Sequence, residues 1–253
     1  MKDAVVVTGA SRGIGRALAV AFAHRGHEVV LAARSGEELE SAAREIGAAA
    51  RLVVADLATQ EGRDSLLAAS PPRIAGLVNN AGIGTAGEFA AQDPARDRAV
   101  MRLNCEALVD LTHLFLPRLG PGSFIVNLSS AAAFQPVPLF AVYAATKAFV
   151  LSFSEALADE LAPRGVHVLA LCPGVTESGF QKQADVALPR SYATSPEVAE
   201  FALRALDAKK RVAVHGIGNA ALAYGARFTP RFLTLKVARK VMEPWLRERA
   251  TRS

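Results

Sequence analysis

The chain has 253 residues, of which 51% are hydrophobic and 21% charged, with a formal net charge of +5. This apolar content excludes a disordered or solvating protein, and the length suits one large α/β domain or two small ones that bury most of their apolar surface. Residues 220–253 carry +6 and the rest of the chain −1, so the basic character belongs to one segment and is no whole-surface footprint for nucleic acid.

In chain order, Met1-Lys2-Asp3 leads directly into an apolar run. That leaves no room for a signal peptide and points to the cytoplasm. Two cysteines, Cys105 and Cys172, cannot build a disulfide framework; both sit in apolar runs and read as buried free thiols in a reducing compartment. Residues 119–146 carry no charge, yet Pro121, Pro136 and Pro138 with Asn127 and Gln135 argue against a membrane-spanning helix.

Short apolar runs at 4–8, 28–34, 51–56, 76–80, 123–129, 167–172 and 211–215 read as strands, and several are nearly continuous Val, Leu, Ile and Ala. Such runs are expected of parallel strands covered on both faces. Helical patterns lie between them at 14–25, 36–46, 60–69, 94–116, 143–161 and 196–208. The alternation predicts one domain over 1–216: a doubly wound, Rossmann-like parallel sheet of seven strands in three α/β/α layers. Residues 176–194 have no clear period and are expected to form a mobile connection.

Residues 217–253 read as a helical appendage. Pro230 suits a first turn, and Phe232, Leu235, Ala238, Val241 or Met242, and Trp245 recur at three or four residues with basic residues between; Pro244 should end or kink this helix. Three uses are open: packing on its own domain or on a partner subunit, covering a cleft as an apolar lid, or resting on an anionic membrane surface.

The first strand runs into Thr8-Gly9-Ala10-Ser11-Arg12-Gly13-Ile14-Gly15 and a helix. Gly9 allows a tight turn, Gly13 a close approach of backbone to phosphate, and Gly15 close packing of helix on strand, while the helix N-terminus offers N–H groups to a pyrophosphate. The spacing is G-x-x-x-G-x-G, which differs from the usual G-x-G-x-x-G. At the end of the second strand, where an NAD site places an acid for the ribose hydroxyls, stand Ala33 and Arg34. Arg12 and Arg34 with no carboxylate favour the 2′-phosphate of NADP(H) over NAD(H), unless each is an ordinary solvated charge.

Tyr143 and Lys147 share a helix face at i, i+4, where an ammonium favours phenolate and draws the tyrosine pKa below about 10, as acid/base work on a carbonyl/alcohol pair requires. Tyr-x-x-x-Lys also occurs by chance. Ser130 ends the fifth strand and is placed to hold a substrate oxygen, with Ser129 the competing candidate because neighbouring strand residues face opposite ways. Asn104 in its apolar helix is either a packing residue or part of a proton relay. The five histidines show no metal spacing. Phe134, Phe140 and Phe149 flank the candidates as core or pocket wall. Few charges fall in 84–93, 134–142 and 176–194, which favours an apolar substrate.

TGASRGIG, Asp56-Leu57, Asn79-Asn80-Ala81-Gly82, Asn104, Ser130, Tyr143-x-x-x-Lys147 and Cys172-Pro173-Gly174 fall in the order of the short-chain dehydrogenase/reductase family, and the chain resembles its single-domain branch over roughly residues 2–216. The resemblance implies a doubly wound fold and an NAD(P)H-dependent oxidoreductase. In it Tyr143 is the acid/base, Lys147 binds the nicotinamide ribose and lowers the tyrosine pKa, and Ser130 orients the carbonyl. Asn104 holds the helix geometry for a water relay to Lys147. Asp56 and Leu57 contact adenine, Asn80, Ala81 and Gly82 line the cofactor, and Pro173, Gly174 and Thr176 flank the nicotinamide, together with Gly9, Ser11, Arg12, Gly13, Ile14 and Gly15 of the loop. Thr176 replaces the usual Val or Ile and Ser178 the usual Thr. Relatives pair as homodimers or homotetramers through the helices carrying Asn104 and Tyr143, and branches with such an extension act on bulky apolar carbonyls. The expected partner is therefore an apolar carbonyl or alcohol, with peripheral membrane contact through the tail left open. A non-catalytic NADP(H)-binding regulator and a membrane-peripheral interaction protein are the alternatives.

Overall fold

The computed structural model describes residues 2–184, 186, 192–226 and 228–250; Arg227 and Arg252 of the basic tail, and 185 and 187–191 of the connection, lie outside them. Seven parallel strands form the sheet: β1 (Lys2–Thr8), β2 (His27–Ala33), β3 (Ala50–Val54), β4 (Ile74–Asn79), β5 (Leu119–Leu128), β6 (His167–Cys172) and, after the short pair described below, β9 (Val212–Val214), in the order β3-β2-β1-β4-β5-β6-β9. The fold is the expected doubly wound sheet. Successive residues of one strand feed opposite cores, which is why the strands read as unbroken apolar runs.

Val5, Val7 and Leu31 pack on α1 (Gly13–His24), α2 (Gly36–Ile46) and α8 (Ser195–Asp207), while Val6, Val30 and Ile125 pack on α3 (Gln60–Ala69), α5 (Ala107–Phe115) and α6 (Ala141–Glu160). Chain order reverses between β1 and β4, so a crevice opens beyond their C-terminal ends. Buried Arg63 of α3 fixes one rim of it. Its guanidinium donates to Leu57 O at 3.0 Å and pairs with Asp110 of α5 at 2.8 Å, anchoring the Asp56-Leu57 loop.

The structure corrects several expectations. The single helix over 94–116 is α4 (Pro94–Met101), a π-helical turn at Arg102–Glu106, and α5. The wider turn carries Asn104, whose side chain is tied to Ile83 and Thr146 outside the helix. In the same turn Cys105 is half-buried; only Cys172 is fully enclosed, and both are free thiols. β5 starts at Leu119, ahead of expectation, because Leu119 already pairs with Ile74 before the register shifts. The described part of the 176–194 connection is ordered by pairing: β7 (Thr176–Glu177) joins β8 (Ala193–Thr194), α7 (Phe180–Ala184) lies between them, and Ser195 Oγ donates to Glu177 O at 2.7 Å.

Beyond β9 come α9 (Ile217–Gly225) and α10 (Arg231–Ala250). Pro244 does not end α10: proline forfeits its own N–H, and the bonds on either side carry the helix on to Ala250. Ala223 packs with Ala133, Leu151 and Cys172, and Met242 with Val137, Phe140 and Ala144, so the extension closes on its own domain. No described helix is long and apolar enough to cross a membrane.

The first turn of α3 rests on the Asp56 backbone so closely that a Cβ at Gly62 would strike the Asp56 carbonyl. Gly62→Ala is expected to cost roughly 1–3 kcal/mol and lower Tm by several degrees in thermal unfolding, because backbone cannot move aside as a side chain would.

Candidate active site

A cavity of about 750 Å³ occupies the crevice and holds most of the sequence-nominated residues. Gly9, Ser11, Arg12 and Ile14 form one end with Arg34, Asp56 and Leu57; Asn80, Ala81 and Gly82 form the floor; Ser130, Tyr143, Lys147, Pro173, Gly174 and Thr176 form the other end. Gly13, Gly15 and Asn104 stand behind the wall.

Gly9 has φ +64°, and a Cβ there would meet Asn80 Nδ2 at 2.8 Å. Asn80 Nδ2 donates to Thr8 O at 2.9 Å and Gly9 O at 3.1 Å, so it props the glycine loop besides lining the cavity. Gly15 packs against Asn80 and the Gly9 carbonyl, as expected. Gly13 also has positive φ, and the backbone of Ser178 comes close to it: a Cβ there would meet the Ser178 carbonyl oxygen at 2.6 Å.

The groups present fit a dinucleotide. Arg12, the N-cap of α1, places no side-chain acceptor on the first-turn N–H groups, which stay available to an anion. Arg12 and Arg34 are exposed at this rim, and Asp56 Oδ1 is engaged by Ala58 N at 3.0 Å. Glu38 stands 3.6 Å from Arg12 and lines the same end of the cavity, which corrects the reading of two arginines with no carboxylate beside them; Arg34 forms no ion pair among the described residues.

At the other end Asn104 is buried and doubly bonded to the loop after β4: Ile83 N donates to Oδ1 at 3.0 Å, and Nδ2 donates to Ile83 O at 2.9 Å and to Thr146 Oγ1 at 3.0 Å. A Cβ at Gly82 would lie 3.1 Å from Asn104 Oδ1 and 3.5 Å from Lys147 Nζ, so the three converge. Of the two serines, Ser129 is buried and donates to Lys147 O at 2.8 Å, while Ser130 hydrogen-bonds the Tyr143 side chain and accepts from Ala132 N at 3.1 Å. Ser130 is the one that faces the phenol.

Tyr143 overturns one expectation. Burial pushes its phenol up to about 12, against the Ser130 hydrogen bond, which favours the phenolate. Burial also brings the Lys147 ammonium down to about 8. Lys147 Nζ donates to Leu128 O at 2.7 Å and lies 5.8 Å from the Tyr143 ring centre. The ammonium is held by a carbonyl on the strand, and loss of water governs both groups.

Sequence reasoning missed several wall residues. Phe180 tilts over Tyr143 with ring centres 4.9 Å apart, and Gln183 Oε1 accepts from Gly84 N at 2.9 Å. Gly84 was the available signal, since a Cβ there would strike Phe180 at 2.5 Å. Asn219 presses on Gly174, and Leu222, Val237, Val241 and Met242 of the extension line the same cavity. Of the flanking phenylalanines, Phe140 meets Tyr143 edge-on at 6.3 Å, Phe134 packs on Tyr224, and Phe149 faces outward beside Phe153. Thr176 Oγ1 donates to Gly174 O at 3.1 Å, which accounts for a hydroxyl where an aliphatic residue was expected.

Residues 3–187 match the sequence profile of the family described as short chain dehydrogenase. A sulfoacetaldehyde reductase of Chromohalobacter salexigens is 38% identical over 189 residues, covering 71% of this chain and 75% of that one. A short-chain dehydrogenase from Sphingobium yanoikuyae, solved in complex with NADPH, has a TM-score of 0.82 at 32% identity, covering 89% of this chain and 94% of that one. The bulky-bulky ketone specific alcohol dehydrogenase from Comamonas testosteroni has a TM-score of 0.76 at 30% identity, covering 89% and 92%.

An ordinary tyrosine is half ionised near pH 10. In the tyrosinate absorbance difference between the wild type and Tyr143→Phe, Tyr143 is expected to contribute no ionisation at about pH 10. A full tyrosinate signal there would show that burial does not govern this phenol.

Proposed function

The chain belongs to the short-chain dehydrogenase/reductase family of nicotinamide-dependent oxidoreductases, and we propose that it interconverts an apolar ketone or aldehyde and its alcohol, with NADPH as the preferred reductant. One observation carries the substrate class: the phenol of Tyr143 sits among Val137, Phe140, Phe180, Val186 and Met242. Among the described lining residues the cations besides Lys147 are Arg12 and Arg34, on the β1–α1 loop and just after β2. A small acidic substrate such as sulfoacetaldehyde would need a cation beside the phenol. The bulky ketone named for the Comamonas enzyme is the better guide to this wall.

Gly9, Ser11, Arg12 and Ile14 would hold the pyrophosphate side of the cofactor, Asp56 and Leu57 the adenine, and Pro173, Gly174 and Thr176 the nicotinamide. Bound there, reduced nicotinamide supplies the hydride. The chain supplies the proton and its control. Ser130 Oγ holds the substrate oxygen, and Tyr143 Oη gives it a proton in reduction or takes one in oxidation. A phenol raised to about 12 is fully protonated at neutral pH, which is the form reduction needs. Lys147, whose ammonium burial lowers to about 8, would hold the ribose through charge-assisted hydrogen bonds while protonated. Asn104 is a positioning residue that fixes the Gly82–Ile83 backbone beside Lys147.

The test is initial rates of NADPH and NADH oxidation over carbonyls of graded chain length and ring size. Turnover is expected to rise with apolar bulk, to fall by about 10²–10⁴-fold in Tyr143→Phe with cofactor binding retained, and to decline above about pH 8. Activity confined to small acidic aldehydes, or wild-type rates in Tyr143→Phe, would overturn the assignment.

Cofactor choice rests on Arg12 and Arg34 with Ala33 in place of an acid. Arg34→Asp is expected to shift the NADPH/NADH ratio of kcat/KM toward NADH by about tenfold or more, the worth of a charge-assisted hydrogen bond. An unchanged ratio would rule out a 2′-phosphate site at Arg34.

A further inference from the structure

Nine of the fifteen large hydrophobic side chains exposed among the described residues fall between Ile217 and Val241, with Ile217 92% and Phe228 90% exposed. Soluble surfaces do not gather apolar groups of this size without a use. Every charged residue from 217 to 242 is basic: Arg227, Arg231, Lys236, Arg239 and Lys240. Arg239 pairs with Glu243 on the next turn at 3.8 Å; Arg231, Lys236 and Lys240 form no ion pair among the described residues.

The helix has two sides with different duties. Thr234, Val237, Ala238, Val241 and Met242 recur at three or four residues and line the cavity that holds Tyr143. Phe232, Leu233, Lys236 and Lys240 fall on the rest of its circumference and face outward, mixing apolar and cationic groups. Val237 and Val241 are themselves half exposed, so the mouth of the cavity lies along this helix.

We propose that α9, α10 and the turn between them dock on an anionic lipid surface, with the cavity mouth at the interface, so that the substrate is a carbonyl compound dissolved in the membrane. The docking stands on the extension alone; the substrate clause rests on the carbonyl-reductase reading. An anionic bilayer satisfies both halves of this surface, taking Ile217 and Phe228 into the acyl boundary and the arginines and lysines onto lipid phosphates. A second copy of the chain does not, because a two-fold contact would set this basic segment against itself.

The experiment is co-sedimentation of the full chain with phosphatidylcholine vesicles and with vesicles containing about one third phosphatidylglycerol. Binding is expected to the anionic vesicles at about 0.1 M salt and to be lost at about 1 M, as exposed charges are screened. Lys236→Glu with Lys240→Glu should weaken binding at least tenfold. Phe228→Ser should weaken it while leaving the salt dependence in place. All variants are expected to keep wild-type turnover of a small water-soluble ketone, which reports folding. Recovery of the wild type in the supernatant with both vesicles, or equal binding to neutral ones, overturns the proposal. So does a Lys236/Lys240 variant that changes oligomeric state on sizing while vesicle binding is absent. Delivery is read separately: a long-chain ketone carried in anionic vesicles should turn over several-fold faster than in neutral ones, and equal rates refute delivery. Vesicle binding by a chain that reduces no carbonyl would leave the docking intact and condemn the reductase reading instead.

Discussion

The site depends on a weld between the ends of β1 and β4. Thr8 Oγ1 donates to Val78 O at 3.0 Å and accepts from Asn80 N at 2.9 Å and Ala81 N at 3.0 Å, while Asn80 returns two bonds to Thr8 O and Gly9 O. A parallel sheet ladder stops where the strands end, and the chain reverses direction of build at this seam. Without side-chain bonds across it, the glycine loop and the floor of the cavity would be two independent loops. With them, the loop that would meet phosphate and the Ala81-Gly82 floor move as one body. Asn104 extends the weld through Ile83 to α6, and so to the helix that carries Tyr143 and Lys147.

Burial then does the chemical tuning at the far end. Taking Tyr143 and Lys147 out of water disfavours the charged form of each, so the phenol is raised and the ammonium lowered from their ordinary values. Side by side in water at ordinary values of 10.0 and 10.5, the two groups are driven apart, the phenol to about 12 and the ammonium to about 8. At neutral pH the phenol therefore keeps its proton while the amine still carries its charge, so burial holds Tyr143 in the donor form. Under the reductase reading, the apolar wall that buries Tyr143 both sets its protonation state and meets the substrate.

Much of the fold was legible because parallel strands buried on both faces leave continuous apolar runs, and helices between them leave gaps of fixed length. The site was legible where one residue type has one use: Gly9 at positive φ, Asn80, Tyr143 with Lys147. It failed where a feature is created by residues far apart in sequence. Nothing local to Glu38 announces Arg12, nothing local to Phe180 announces Tyr143, and the π-helical turn at Arg102–Glu106 carries Asn104, whose partner Ile83 lies 21 residues away. The expectation that Lys147 depresses the Tyr143 pKa failed for the same reason. Helical spacing places the two side chains on one face, yet burial, which is built by distant residues, governs the phenol, and the ammonium donates to the carbonyl of Leu128 on a strand.

The match to the family profile ends at residue 187, yet the wall of the cavity does not. Positions that set the proton chemistry lie within the matched region, on strands and helices that a seven-stranded sheet holds rigidly. Part of the cavity wall lies after it: Asn219, Leu222, Val237, Val241 and Met242 sit on two helices that meet the domain through clusters at Ala223 and Met242, through Tyr224 on Phe134 and through Asn219 on Gly174. The division has a physical cause. Acid/base geometry tolerates little displacement, so Ser130, Tyr143 and Lys147 stand just after a strand and on a helix packed against the sheet; an apolar contact has no direction and can be supplied by helices added outside it.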